Sequence, residues 1–274
     1  VAYYMNLQHV RVLTQHALHR SLRSASGILF LVLYGIIWFM IFRGMAGGYA
    51  NELANPEANA IASWLTSPEL ARSLFVNHPP TLGFFFLVAL FVTPGFVMWG
   101  AGDQTASDIG NRYLRFLIPR CGRYEIYLGR FLGAVIFTVL VQILIVVVAV
   151  VIAIFTDNVA TGEILSYAVR ILLALLFYTL PYVALMAALA ALTGSVAIAI
   201  LTATASYAVI ATITGLISMR WPWVELIGWL MPSALKNALL IGDSGSFIMA
   251  LCLLLVYTAV YLVCGWYIFR QRDI

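Results

Sequence analysis

Charge is what this 274-residue sequence has least of: Asp, Glu, Lys and Arg together make up 9% of it. A soluble domain of that length carries roughly 25% charged residues to cover its surface, so a water-exposed globule is excluded. Lysine occurs once, at Lys236, directly after Leu235. The phosphate-cradling loop G-x-x-x-x-G-K-[ST] needs its lysine after a glycine, because that ammonium and the loop N–H groups hold the phosphates together. ATP hydrolysis within the chain is therefore excluded. Histidine is confined to His9, His16, His19 and His78, none inside an apolar run. That removes the serine–histidine pair an intramembrane protease would need. Ionisable groups near apolar runs, such as Arg130, Glu163 and Arg170, fall close to their ends. A charge at mid-membrane costs about 2.5–3.5 kcal/mol and is normally kept only for function. Without one, a proton- or sodium-coupled carrier has no obvious coupling group, although backbone-coordinated sodium remains open. The three cysteines, Cys121, Cys252 and Cys264, have neither disulfide nor metal spacing and read as reduced packing residues. His16 and His19 stand three apart, a spacing that suits either a metal pair or a solvated helix face.

What the sequence has is apolar length. Hydrophobic residues make up 63% and the mean hydropathy is +0.98. A helix needs about 20 mostly apolar residues to cross roughly 30 Å of hydrocarbon. Six segments are expected to do so, at about 25–42, 82–99, 127–155, 165–192, 196–217 and 247–268, within one transmembrane domain over 25–274. The fourth and fifth are separated only by Thr193, Gly194 and Ser195, which predicts a tight helical hairpin. The predicted class is an all-α integral membrane protein. With both termini inside, the outer side holds Arg43, Arg72, Arg170, Arg220 and Lys236, and the other ten of the fifteen basic residues lie inside. That is the sign of the positive-inside bias. The positive charge thus reports topology, and nucleic acid is not an expected partner. The chain is read as having no catalytic residues, metal site or cofactor of its own.

The segments between the spans carry the organisation. Residues 1–24 read as an amphipathic helix in the inner interface: Leu7, Val10, Leu13, Ala17 and Leu18 share a face, and Arg11, His16, Arg20 and Arg23 fill the remainder. No cleaved signal peptide is expected there. Outside, Ser67-Pro68-Glu69 is a helix-start signal, with Ile61, Trp64 and Leu65 before it and Leu70 and Leu74 after it. The stretch from Trp221 to Pro232 is apolar, proline-broken and too short to cross, and reads as an outer re-entrant segment or a tryptophan-anchored interfacial loop. In the fifth span Thr204, Ala208, Ala211, Thr212 and Gly215 form a small-residue stripe. It suits close helix packing, a pathway lining or a dimer seam.

The largest inner loop is Gly100–Glu125. Asp103 or Ser107 can start a helix there. Tyr113, Leu114, Phe116, Leu117 and Ile118 give an apolar ridge before Pro119, with Arg112, Arg115, Arg120 and Arg123 around it. A cytosolic partner could grip such a ridge, or it could lie on anionic lipid. At this loop Asp108, Leu114, Leu117, Pro119, Arg123, Glu125 and the run Leu128-Gly129-Arg130-Phe131-Leu132-Gly133 resemble the pattern of ABC-2 type permeases, the membrane subunits of ABC exporters. The ending Phe269-Arg270-Gln271-Arg272-Asp273-Ile274 is similar to theirs, whereas Arg112-Tyr113 replaces their usual glycine–threonine.

The resemblance extends to the order of parts along nearly the whole chain. It implies a type V exporter-like fold with an N-terminal interfacial helix, a cytoplasmic coupling helix and an outer re-entrant segment. It further implies a prokaryotic plasma membrane, a dimer with an identical or paralogous permease, and separate cytosolic ABC ATPase subunits that hold ATP and Mg. The implied ATPase contact is Asp108, Arg112, Tyr113, Leu114, Arg115, Phe116 and Leu117. The expected function is export of an amphiphilic or apolar substrate (a lipid, drug or peptide) along the dimer interface. The alternatives are mechanical action on an extracytoplasmic partner, an ATP-independent carrier or channel, and a membrane scaffold.

Overall fold

In hydrocarbon a backbone N–H or C=O has no water to bond, so apolar runs become helices that pair these groups internally. The computed structural model describes residues 6–47, 74, 75, 78–214, 221, 225–240 and 243–272, and every regular element among them is helical. The order is α1 (Leu7–Arg23), α2 (Ala25–Ala46), α3 (Pro80–Gly100), α4 (Ala106–Gly110), α5 (Leu114–Leu117), α6 (Arg123–Thr156), α7 (Thr161–Thr193) and α8 (Val196–Thr212). There follow α9 (Glu225–Gly228), a 3₁₀ turn (Pro232–Leu235), α10 (Lys236–Leu240) and α11 (Ser244–Gln271). Five helices are long and apolar enough to cross a membrane: α2, α3, α6, α7 and α11. The expected fifth span contributes α8, which is apolar but only 17 residues long among the described residues. The outer segment around Ser67-Pro68-Glu69 (Ile61, Trp64, Leu65 and Leu70 with it), Gly215, and the part of the re-entrant stretch at 222–224 lie outside the described residues.

Helix α7 is the centre of the bundle, packed on α11, α6, α3 and α8. Small residues make that possible: Ala184, Ala187, Ala190 and Ala191 are all fully buried. A methyl group built on Gly265 of α11 would stand 2.8 Å from the Ala188 Cα, so the α7–α11 contact needs glycine there. By contrast α2 and α11 turn broad apolar faces outward, including Ile28, Val32, Ile36 and Val256, Val260, Val263. In a soluble protein such faces would drive aggregation; against lipid they cost nothing. Cys252 and Cys264 lie on this outward side of α11, so they do not pack inside the bundle as the sequence suggested.

The turn between α7 and α8 depends on Gly194 at φ 66°, the left-handed C-cap conformation that side chains resist. Its carbonyl neighbours are capped from the chain end. Arg272 donates to the carbonyl oxygens of Ala191 and Leu192, and Arg123 donates to those of Arg270 and Arg272. The arginine-rich ending therefore closes the ends of α6, α7 and α11 at one face of the bundle.

Candidate functional site

The densest polar structure lies at that same face, where α1 lies across the start of α6. Gly129 and Gly133 of α6 leave a flat track for it. A methyl on Gly129 would meet the Leu13 Cβ at 2.7 Å, and one on Gly133 would meet the Ala17 Cβ at 2.5 Å. This is the small-x-x-x-small approach of packed membrane helices, and it places Arg20 beside Arg130. The tip of α1 is held separately. Glu125 accepts from the Asn6 N–H (2.7 Å), the Gly122 N–H (3.1 Å) and His9 Nδ1 (2.9 Å).

Between the two arginines stands Asp108 of α4, 3% exposed. Arg20 donates to Asp108 Oδ1 at 2.8 Å, and Arg130 NH2 reaches Oδ2 at 2.7 Å. Arg20 also pairs with Asp103 at 3.0 Å and donates to Ser107 Oγ. Two cations and two anions thus tie α1, α4, α6 and the turn after α3 into one unit. Arg130 is 2% exposed, and a buried charge is tolerable only when paired in this manner. His16 Nδ1 lies 3.4 Å from Arg130 NH1. Partial burial and the neighbouring Arg130 and Arg20 guanidiniums hold its imidazole below the usual range, against the opposing pull of Asp108. His16 joins this cluster.

The loop beyond is broken where the sequence predicted one helix. Arg112 adopts φ 57°, a left-handed conformation costly for a side chain, and this separates α4 from α5. Two of the seven predicted contact residues turn inward: Asp108 into the ion cluster and Leu114 into the core at 0% exposure. Both anchor the loop, and Leu117 is half-buried. What projects is Arg112, Tyr113, Arg115 and Phe116, the last 72% exposed and 6.3 Å from the Tyr113 ring.

The small-residue stripe of α8 faces away from the bundle. Ala199 and Ala203 are buried, whereas Ala208, Ala211 and Thr212 are exposed and Thr204 is half-exposed. Its hydroxyls are satisfied by their own helix, Thr204 donating to the Ile200 oxygen and Thr212 to the Ala208 oxygen, both at 2.8 Å.

One grouping had no sequence signal because His9 lies 116 positions before Glu125. Donor atoms of His9, Cys121 and Glu125 lie within 4.8 Å of one another. They could serve as three ligands to a divalent metal ion, where a closed zinc site takes four. Burial and the Glu125 charge push the Cys121 thiol up, and the Glu125 oxygens already accept three hydrogen bonds.

Residues 74–274 match the family described as Protein of unknown function (DUF2705). The chain belongs to that family. The DUF2705 region contains Asp103, Asp108, Arg130 and the 112–117 loop, whereas α1 with Arg20 precedes it. No curated protein matches the chain.

Proposed function

We propose that this DUF2705 protein is the membrane-spanning subunit of an ATP-driven exporter whose motor is a separate cytosolic ATPase. In this reading α8 completes a sixth span, both termini face the cytoplasm of a prokaryotic cell, and two such subunits meet along the exposed small-residue face of α8. The cargo is amphiphilic or apolar. The observation that carries the proposal is the exposed Tyr113–Phe116 pair, rimmed by Arg112 and Arg115, on a loop rooted in the Asp108 cluster. Aromatic anchors with an arginine rim are the composition of a protein contact. A loop tied by ion pairs to α1 and α6 can pass a push from a motor into the spans instead of yielding to it. In this reading the motor contact is made by the exposed Arg112, Tyr113, Arg115 and Phe116, with Asp108 and Leu114 buried behind them.

Co-purification with the cytosolic ATPase encoded nearest to this chain tests the proposal. Phe116→Asp should abolish the association without unfolding the chain. An association indifferent to that change refutes the docking site, and solute flux from the purified chain in vesicles without any ATPase refutes the energy source.

A further inference from the structure

A crevice of about 260 Å³ opens between α1, α2, α3, α6 and α8 beside the ion cluster. It is far larger than one water, whose share of the liquid is about 30 Å³. Its two ends differ chemically. One wall is apolar, from Phe30, Leu33, Phe137 and Ile200, with the exposed Trp99 at its rim. The opposite end carries Arg20 and Asp103, both partly exposed and 3.0 Å apart. Gln104 and Arg130 border that same end, 4% and 2% exposed. The Gln104 amide nitrogen donates to the carbonyls of Ala101 and Val183, which fixes its oxygen as an acceptor. That oxygen and Arg130 Nε are buried without a hydrogen-bond partner, each costing about 1–3 kcal/mol if left so.

The charges at this end cancel. Arg20 and Arg130 are matched by Asp103 and Asp108, with His16 next to Arg130. A purely anionic head would meet no net attraction. A head that carries both signs would meet a partner for each: its phosphate at the partly exposed Arg20 and its ammonium at the partly exposed Asp103. Arg20 lies in the last turn of α1, and Asp103 and Gln104 come just after α3, close in sequence to Trp99. Tryptophan favours headgroup depth, and Phe30, Leu33 and Phe137 lie within α2 and α6.

We infer that this crevice binds one zwitterionic phospholipid-type amphiphile, its ammonium–phosphate head at Asp103 and Arg20 and a chain along Phe30, Leu33 and Phe137. The inference refines the cargo class of the export proposal and rests on it only for what the site is used for; occupancy needs no motor.

The test is lipid retention by the purified full chain, read by native mass spectrometry after exchange against equal amounts of dioleoyl phosphatidylethanolamine, dioleoyl phosphatidylglycerol and dioleoylglycerol. One phosphatidylethanolamine should stay bound with about tenfold preference over each of the others, and soluble phosphoethanolamine should not compete. Asp103→Asn leaves the arginines in excess and should move the preference toward phosphatidylglycerol. Leu33→Trp, at the open side of the crevice, should cut retention of every lipid about tenfold while the protein stays folded. Equal retention of the three lipids by the unchanged protein, or an unaltered preference in Asp103→Asn, overturns the inference. Phe116→Asp should leave retention intact, so the failure of motor docking and the failure of this site are told apart.

Discussion

Replacing Asp108 with asparagine keeps the side-chain shape and removes one charge from the cluster. Arg130, at 2% exposure, would lose the carboxylate charge 2.7 Å away, with His16 at 3.4 Å still beside it. Arg20 is less affected, because it retains Asp103 and is itself partly exposed. Breaking a buried ion pair from one side costs about 3–5 kcal/mol, mostly the desolvation of the charge left behind. We therefore expect Asp108→Asn to lower stability by about 3 kcal/mol in equilibrium unfolding with mixed detergent micelles. Adding Arg130→Met to Asp108→Asn removes the stranded charge and should recover more than half of that loss, a coupling that independent sites would not show. If Asp108→Asn shifts stability by less than about 0.5 kcal/mol, or the double variant is simply the sum of the singles, the cluster does not hold this face together.

Four further outcomes follow from the same geometry. Gly133→Leu should force α1 off α6, since even a methyl there stands 2.5 Å from the Ala17 Cβ; faster protease cleavage within residues 7–23 would report it, at a cost of about 1–3 kcal/mol for overpacking. Phe116→Asp, at a 72% exposed position, should leave unfolding within about 0.5 kcal/mol of the unchanged chain while the ATPase association is lost. The depressed His16 imidazole binds its proton less readily folded than unfolded. Its contribution is thus complete above the ordinary imidazole value of about 6.5 and declines as pH falls through and below it. A melting-temperature profile from pH 7.5 to 5 should show this loss, smaller in high salt and absent in His16→Gln. Finally, Gly194→Val should disorder the α7–α8 turn, because its φ of 66° and the Arg272 NH2 at 2.6 Å from a built Cβ leave no place for a branched side chain.

The all-helical class was legible because long apolar runs have few other solutions in lipid. The ridge Tyr113–Leu117 was legible as an aromatic–aliphatic stretch with a basic rim, but not which of its residues face out: that is decided by Arg112 at φ 57° and by tertiary partners. Asp108 read only as part of the implied ATPase contact, because its two arginines lie 88 positions before it and 22 after it. The glycine pair Gly129 and Gly133, matched by Leu13 and Ala17 four apart on α1, was the signal that could have placed α1 on α6 and so brought Arg20 to Asp108. Nothing in the spacing of His9, Cys121 and Glu125, or in a lone Gln104 after an apolar helix, foretold what they border. Those groupings exist only once the bundle closes.

The central claim is that a cytosolic motor grips the exposed ridge at 112–116. Photo-crosslinking from p-benzoylphenylalanine placed at position 116 in the native membrane measures it directly. A covalent adduct with an ABC-type ATPase is expected, unchanged by membrane-impermeant quenchers added outside. Labelling of position 116 by an impermeant reagent from the outer side, or no adduct other than to lipid, would contradict it.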